Sequence, residues 1–287
     1  LAATFGPALA YDYGVAIGEE ARYRNKDVLL GPGCNICRTP LCGRNFEYMG
    51  EDPALASAMV VPYVKGVQEQ GVAACVKHFA LNNQELHRHT TNVVVSDRAL
   101  NEIYLPAFRA AVEEGGAWAM MGAYNLFDNE HCCHNSRLSG ILKEEWNFDG
   151  VLISDWGGTH DTEQAIINGL DMEFGTWTDG LMVGKGNAYD KFHLAQPYLE
   201  RLRSGEASED VLDGKVRRVL RLMMRTCMSW NRGWGRFTCP EHSATARRIG
   251  AEGIVLLKNE ENLLPLHHRR ILVVGENAVR SMTAGGG

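Results

Sequence analysis

The 287-residue sequence has no uninterrupted apolar run long enough to span a membrane, and its first twenty residues carry acids without a basic leader region. Neither a membrane span nor a signal peptide is expected from that pattern. Lys/Arg-rich runs are also missing and the formal net charge is −6, which leaves no electrostatic footprint for nucleic acid or an anionic membrane. A small-molecule or neutral polymer ligand is expected instead. No glycine-rich phosphate loop occurs; the one candidate turn, "VVGEN" at 273–277, puts an acid where a pyrophosphate needs bare backbone amides. The eight cysteines include "CNIC" (34–37) and "HCCH" (131–134), but neither makes a metal site. A structural zinc needs four ligands from paired knuckles, and adjacent Cys132 and Cys133 would point opposite ways in an extended segment. Free, mostly buried thiols, no metal, no cofactor and a reducing compartment are the expectation.

What is present is alternation. With 45% hydrophobic and 22% charged residues, the chain can bury one large core, or one domain and part of a second. Helical spacing over 8–25 feeds a short apolar run ending in Gly-Pro-Gly at 31–33, and the pattern repeats. A helix over 53–70 feeds "GVAACVKHFA", one over 98–115 feeds "AWAMMGAYN", one over 139–150 feeds "VLISDW", and "DTEQAIINGL" leads to "DMEFG". Strands alternating with helices mean βα units and a parallel sheet. The polar residues gather at strand ends, which favours an α/β fold of the (β/α)8 TIM-like barrel type over a doubly wound sheet. The spacing predicts an incomplete barrel over 1–226, its N-terminal units missing, with helices from about 190 to 226. A linker without periodicity follows at 227–242, then the start of an α/β sandwich domain over 243–287, with a helix from 243 and a new strand around 271–274.

"VLISDW" (151–156) poses a chemical question, because a strand buried on both faces ends in a carboxylate and an indole. In a parallel α/β protein the carboxyl ends of strands face the ligand, so Asp155 is a candidate for chemistry, although a helix-capping acid fits the same residues. Beside it stand "GRNFEYMGEDP" (43–53), "KHF" (77–79) and "MGAYN" (121–125), which add an Arg, a Lys-His pair, amides and aromatics. Such a set suits a sugar: polar groups for the hydroxyls, aromatic faces for the C–H side of the ring.

Six ordered segments, "GPGCNICRTPLCGRNFEYMGEDP", "GVAACVKHFALNNQE", "MGAYN", "FDGVLISDWGG", "GIVLLKNEENLLPL" and "ILVVGENAVRSMTAGGG", make the chain resemble the glycoside hydrolase family 3 β-glucosidases over nearly all its length. The resemblance implies a barrel followed by an α/β sandwich, with the active site between them. It implies a retaining, exo-acting β-glycosidase, β-glucosidase first and β-xylosidase next, acting on oligosaccharides or glycosides through a glycosyl-Asp intermediate. A non-catalytic carbohydrate-binding relative or an inactive fragment is the alternative. Carried over, Asp155 is the nucleophile; Arg44, Lys77 and His78 bind sugar hydroxyls; Tyr124 lies beside the nucleophile; Met121 and Trp156 line the pocket or belong to the core. The family's acid/base residue falls beyond this chain, and if one lies within it, Glu85 and Glu47 are the first candidates. Asp52-Pro53 reads as the cap and first residue of a helix, so Glu51 and Asp52 stay outside the site, and Asp97 reads as a helix cap. The loop after "KHF" lacks the "GHGDT" pattern of the N-acetylglucosaminide-cleaving branch despite His87 and His89, which disfavours that branch. Oligomeric state is left open.

Overall fold

The computed structural model describes residues 1–175, 192–230, 232–267 and 270–280. Helix α1 (Pro7–Tyr23) leads to β1 (Val28–Leu29), and α2 (Pro53–Gln68) leads to β2 (Ala73–Phe79). After β3 (Asn92–Val93), α3 (Asp97–Ala99) and α4 (Pro106–Glu113) come β4 (Ala119–Gly122), β5 (Leu126–Phe127) and β6 (Glu130–His131). Helix α5 (Ser136–Gly140) precedes β7 (Val151–Ile153), and α6 (Thr162–Ile167), α7 (Gln196–Ser204), α8 (Glu209–Arg225) and α9 (Pro240–Glu252) complete the elements. Several helices start where the sequence supplies a side-chain cap: Asp52 accepts from the Ala54 amide ahead of Pro53, Ser96 caps the short α3 in place of the expected Asp97, and Asp161 and Ser208 cap α6 and α8.

Strands β1, β2, β4 and β7 pair in that order, all parallel, with Val28 opposite Ala73, Cys75 opposite Ala119 and Ala119 opposite Val151. This is the arc of a barrel, extended by isolated bridges from Gly33 to Lys77 and from Ile153 to Met172. Side chains alternate between its faces. Ala73, Cys75, Ala119, Met121, Val151 and Ile153 form the cluster on one face, while Ala74, Val76, Met120 and Leu152 join the larger cluster shared with the helices. In that larger cluster Phe79 meets Phe108 and Trp146 edge to face. Helices α1 and α2 approach so closely that a Cβ on Gly14 would stand 2.4 Å from the Tyr63 carbonyl oxygen, and one on Gly66 2.5 Å from that of Tyr11.

Two expected helices are divided. The 98–115 segment turns from α3 into a π-helical Leu100–Tyr104 before Pro106 opens α4, and the 139–150 segment becomes π-helical over Ile141–Glu145. Residues 190–191, at the expected start of the following helix, lie outside the described residues, as do 281–287 at the end of the last motif. Helix α9 packs against α1, where His242 meets Glu19 at 2.7 Å and Glu20 at 3.2 Å, and the first compact unit runs from Leu1 to Ile254. The second unit, Val255–Gly287, contains the 3-10 turns Glu260–Asn262 and Glu276–Ala278. The strand expected at 271–274 is not formed: those four apolar residues are exposed, and among the described residues no strand lies beside them to complete their backbone hydrogen bonds.

Candidate active site

The polar residues at the strand ends converge as the barrel arc dictates. Asp155 lies two residues beyond β7, only 7% exposed. Its Oδ1 accepts from the Trp156 amide at 2.8 Å, while Oδ2 is buried without a hydrogen-bond partner among the described residues. The His78 Nε2 stands 3.7 Å from that oxygen. Burial pushes the Asp155 carboxyl above its usual range, against the opposing pull of the Trp156 amide, the Tyr124 hydroxyl, Arg44 and Arg88.

His78 is 1% exposed near the end of β2. Its backbone is held by a single side chain: the Asn35 amide donates to the His78 carbonyl at 2.9 Å and accepts from the His78 amide at 2.7 Å. Its ring Nδ1 lies 3.2 Å from the Tyr48 hydroxyl. Burial, and then Arg44, Lys77 and Arg88, push the imidazole well below its ordinary value, so it is neutral. Lys77, one residue earlier, is held on the arc by hydrogen bonds from its amide to Pro32 and from Cys34 to its carbonyl, both 2.9 Å. Its ammonium reaches Glu47 at 3.5 Å, and the other oxygen of Glu47 accepts from the Arg44 guanidinium. One carboxylate thus ties together two of the expected sugar-binding cations.

On the opposite side, the Tyr124 hydroxyl donates to the Trp156 carbonyl at 2.9 Å, and burial together with the neighbouring Asp155 raises its phenol far above normal. The Arg88 guanidinium lies 4.5 Å over the Tyr124 ring and is fixed by Glu85 at 2.6 Å, whose second oxygen accepts from Asn82. Trp156 stacks on Phe174 with centroids 5.1 Å apart. Met121 is buried in the one-face cluster, against which Trp156 and Phe174 pack. The structure therefore brings Arg44, His78, Tyr124 and Trp156 to Asp155, with Lys77 tied to Arg44 through Glu47, while Met121 belongs to the buried cluster against which Trp156 packs. Sequence reading missed Arg88, Asn35, Tyr48 and Phe174; the only signal for Arg88 was its place in the polar loop after "KHF". Glu51 and Asp52 stay with the helix start. All eight cysteines are free, and among the described residues no group of three or more His, Cys, Asp or Glu is arranged to hold a metal.

Residues 1–222 match the sequence model of the glycosyl hydrolase family 3 N terminal domain. The chain belongs to this family. It is 56% identical to beta-glucosidase BoGH3A of Bacteroides ovatus over 296 aligned residues, which cover all of this chain and 40% of that protein. Identity to thermostable beta-glucosidase B of Acetivibrio thermocellus is 41%, covering 93% of this chain and 34% of that one. The structure of beta-glucosidase 3B from Thermotoga neapolitana in complex with glucose superposes with a TM-score of 0.82 at 40% identity, covering 91% of this chain and 36% of the other. This family 3 chain thus spans about 40% or less of the length of these relatives, and the barrel architecture read from its strand order is theirs. Within the family 3 barrel, a buried carboxylate with one uncommitted oxygen, acted on by two arginines and facing a neutral imidazole, can attack an electrophilic carbon while donors hold the ligand's hydroxyls.

Proposed function

We propose that the protein containing this chain is a retaining, exo-acting β-glucosidase and that Asp155 is its nucleophile. The observation that carries this reading is the Asp155 carboxylate: rigidly placed past a buried strand, one oxygen fixed by the Trp156 amide and the other free to form a bond. Attack on the anomeric carbon makes an Asp155 glycosyl ester and expels the leaving oxygen, which a second carboxyl group about 5–5.5 Å away protonates; water then reverses the steps. Arg44, Lys77 and His78 hold sugar hydroxyls, and Trp156 stacked on Phe174 offers an aromatic face to the ring. Arg88, over the Tyr124 ring and acting on the same carboxyl, belongs with these binding groups. Glu47 and Glu85 have both oxygens committed to Arg44, Lys77, Arg88 and Asn82, so neither is the proton donor. That residue comes from elsewhere in the enzyme.

The test is to incubate the full-length enzyme with a 2-deoxy-2-fluoro-β-glucoside bearing a good leaving group, digest it and sequence the labelled peptide. A stable glucosyl ester on Asp155 is expected. A label on another carboxylate, or none with turnover intact, refutes the assignment.

A further inference from the structure

We propose that Tyr48 is a positioning residue that fixes the tautomer of His78, so that the Nε2–H bond of the imidazole points at the Asp155 carboxylate and the sugar beside it. The inference deepens the proposed glucosidase reading and rests on it for its catalytic part. Tyr48 comes from the chain that leaves the 3-10 turn Asn45–Glu47, and it is 8% exposed. Its hydroxyl reaches Nδ1 of His78 at 3.2 Å, with the two rings edge to face.

Two assignments of that hydrogen bond are possible, and the surroundings separate them. If Nδ1–H donated to the phenol oxygen, the Nε2 lone pair would face Oδ2 of Asp155, 3.7 Å away, an acceptor against a buried acceptor that has no hydrogen-bond partner among the described residues. The phenolic proton would also lose its only partner among the described residues. If Tyr48 donates to Nδ1, the proton sits on Nε2, its positive end faces Oδ2, and both rings are satisfied. The Asn35 side chain, clamped to both backbone groups of His78, removes the freedom to turn away. The neutral state of the buried imidazole makes the tautomer matter, because a doubly protonated ring would donate from both nitrogens whatever Tyr48 did. A phenol that stays protonated can keep donating, and burial holds Tyr48 far above its usual pKa. In this arrangement His78 recognises a ligand oxygen only as a donor.

The experiment is nitrogen NMR of the full-length protein with labelled histidine, together with kinetics of Tyr48→Phe. Unsubstituted protein should show a His78 resonance pair with Nδ1 unprotonated and Nε2 protonated, assigned by its loss in His78→Gln. In Tyr48→Phe the two nitrogens should move toward mixed values, and kcat/KM on an aryl glucoside should fall about 3- to 30-fold. A protonated Nδ1 in the unsubstituted protein overturns the proposal, even if Tyr48→Phe fails to fold. A mixed tautomer in Tyr48→Phe with unchanged kcat/KM overturns the catalytic role. Because the NMR arm needs no turnover, failure of the glucosidase reading would leave the tautomer result standing and be recognised as a separate failure.

Discussion

Replacing Glu47 with Gln separates two roles a site carboxylate can play. In the structure Glu47 receives the Arg44 guanidinium on one oxygen and stands 3.5 Å from the Lys77 ammonium on the other, with all three side chains at most 21% exposed. At an effective dielectric constant of about 20, a pair at that distance carries ~5 kcal/mol of bare Coulomb attraction. Desolvation cancels most of this, and hydrogen bonds to charged groups retain about 1.5–3 kcal/mol. Gln keeps one acceptor but turns an amide N–H toward the second cation, so that cation loses its anchor and, with it, the placement needed for the proposed contact to a sugar hydroxyl. The expected loss of about 1.5–3 kcal/mol in transition-state binding lowers kcat/KM by about 10- to 150-fold. The assay compares an activated aryl glucoside with methyl β-glucoside in the full-length enzyme. A positioning carboxylate should lose the same factor on both, and azide should restore nothing. Wild-type kinetics would refute the reasoning. So would a loss confined to the methyl glucoside, which would make Glu47 the proton donor.

The raised carboxyl of Asp155 fixes two further signs. As the proposed nucleophile it must be ionised, so kcat/KM should fall on the acid side as pH drops through a value above the usual 3.8. The folded protein holds that proton more tightly than the unfolded chain, so stability contributed at this site declines as pH rises through the raised value; Asp155→Asn should melt higher than wild type near neutral pH, the gap closing in acid, and a lower melting temperature would count against it. Gly122→Ala should destabilise by about 1–3 kcal/mol, because its Cβ would stand 2.6 Å from the Cys133 Cα and 3.0 Å from its Sγ; an unchanged denaturant midpoint would show that the close approach relaxes without cost.

The barrel arc and its strand ends were legible because each buried parallel strand is a short apolar run, and Asp155, Lys77 and His78 interrupt the apolar character at the place where such strands meet ligand. Asp52 and Pro53 were legible for a local reason, since cap and first helical residue are sequence neighbours. Arg88 was not. It reaches Tyr124 from a loop whose path depends on Asn82, Glu85 and the small ribbon of β3, β5 and β6, none of which has a periodic signature. Asn35 and Tyr48 were hidden for the same reason: they act on His78 from more than 29 positions away in the chain, and only the folded arc makes them neighbours. The strand expected at 271–274 failed because apolar composition alone supplies no pairing partner.

The uncommitted oxygen of Asp155 has a bearing on laboratory evolution. Any library sorted only for heat resistance or expression samples positions where a polar group is held against its own solvation, and this acid is one of them. Neutral replacements there would rise in such a sort while turnover disappeared. Enrichment of changes at Asp155 in a selection for robustness would therefore mark the position as one kept by use, and a screen for hardy variants of this barrel has to read glycoside cleavage in the same round.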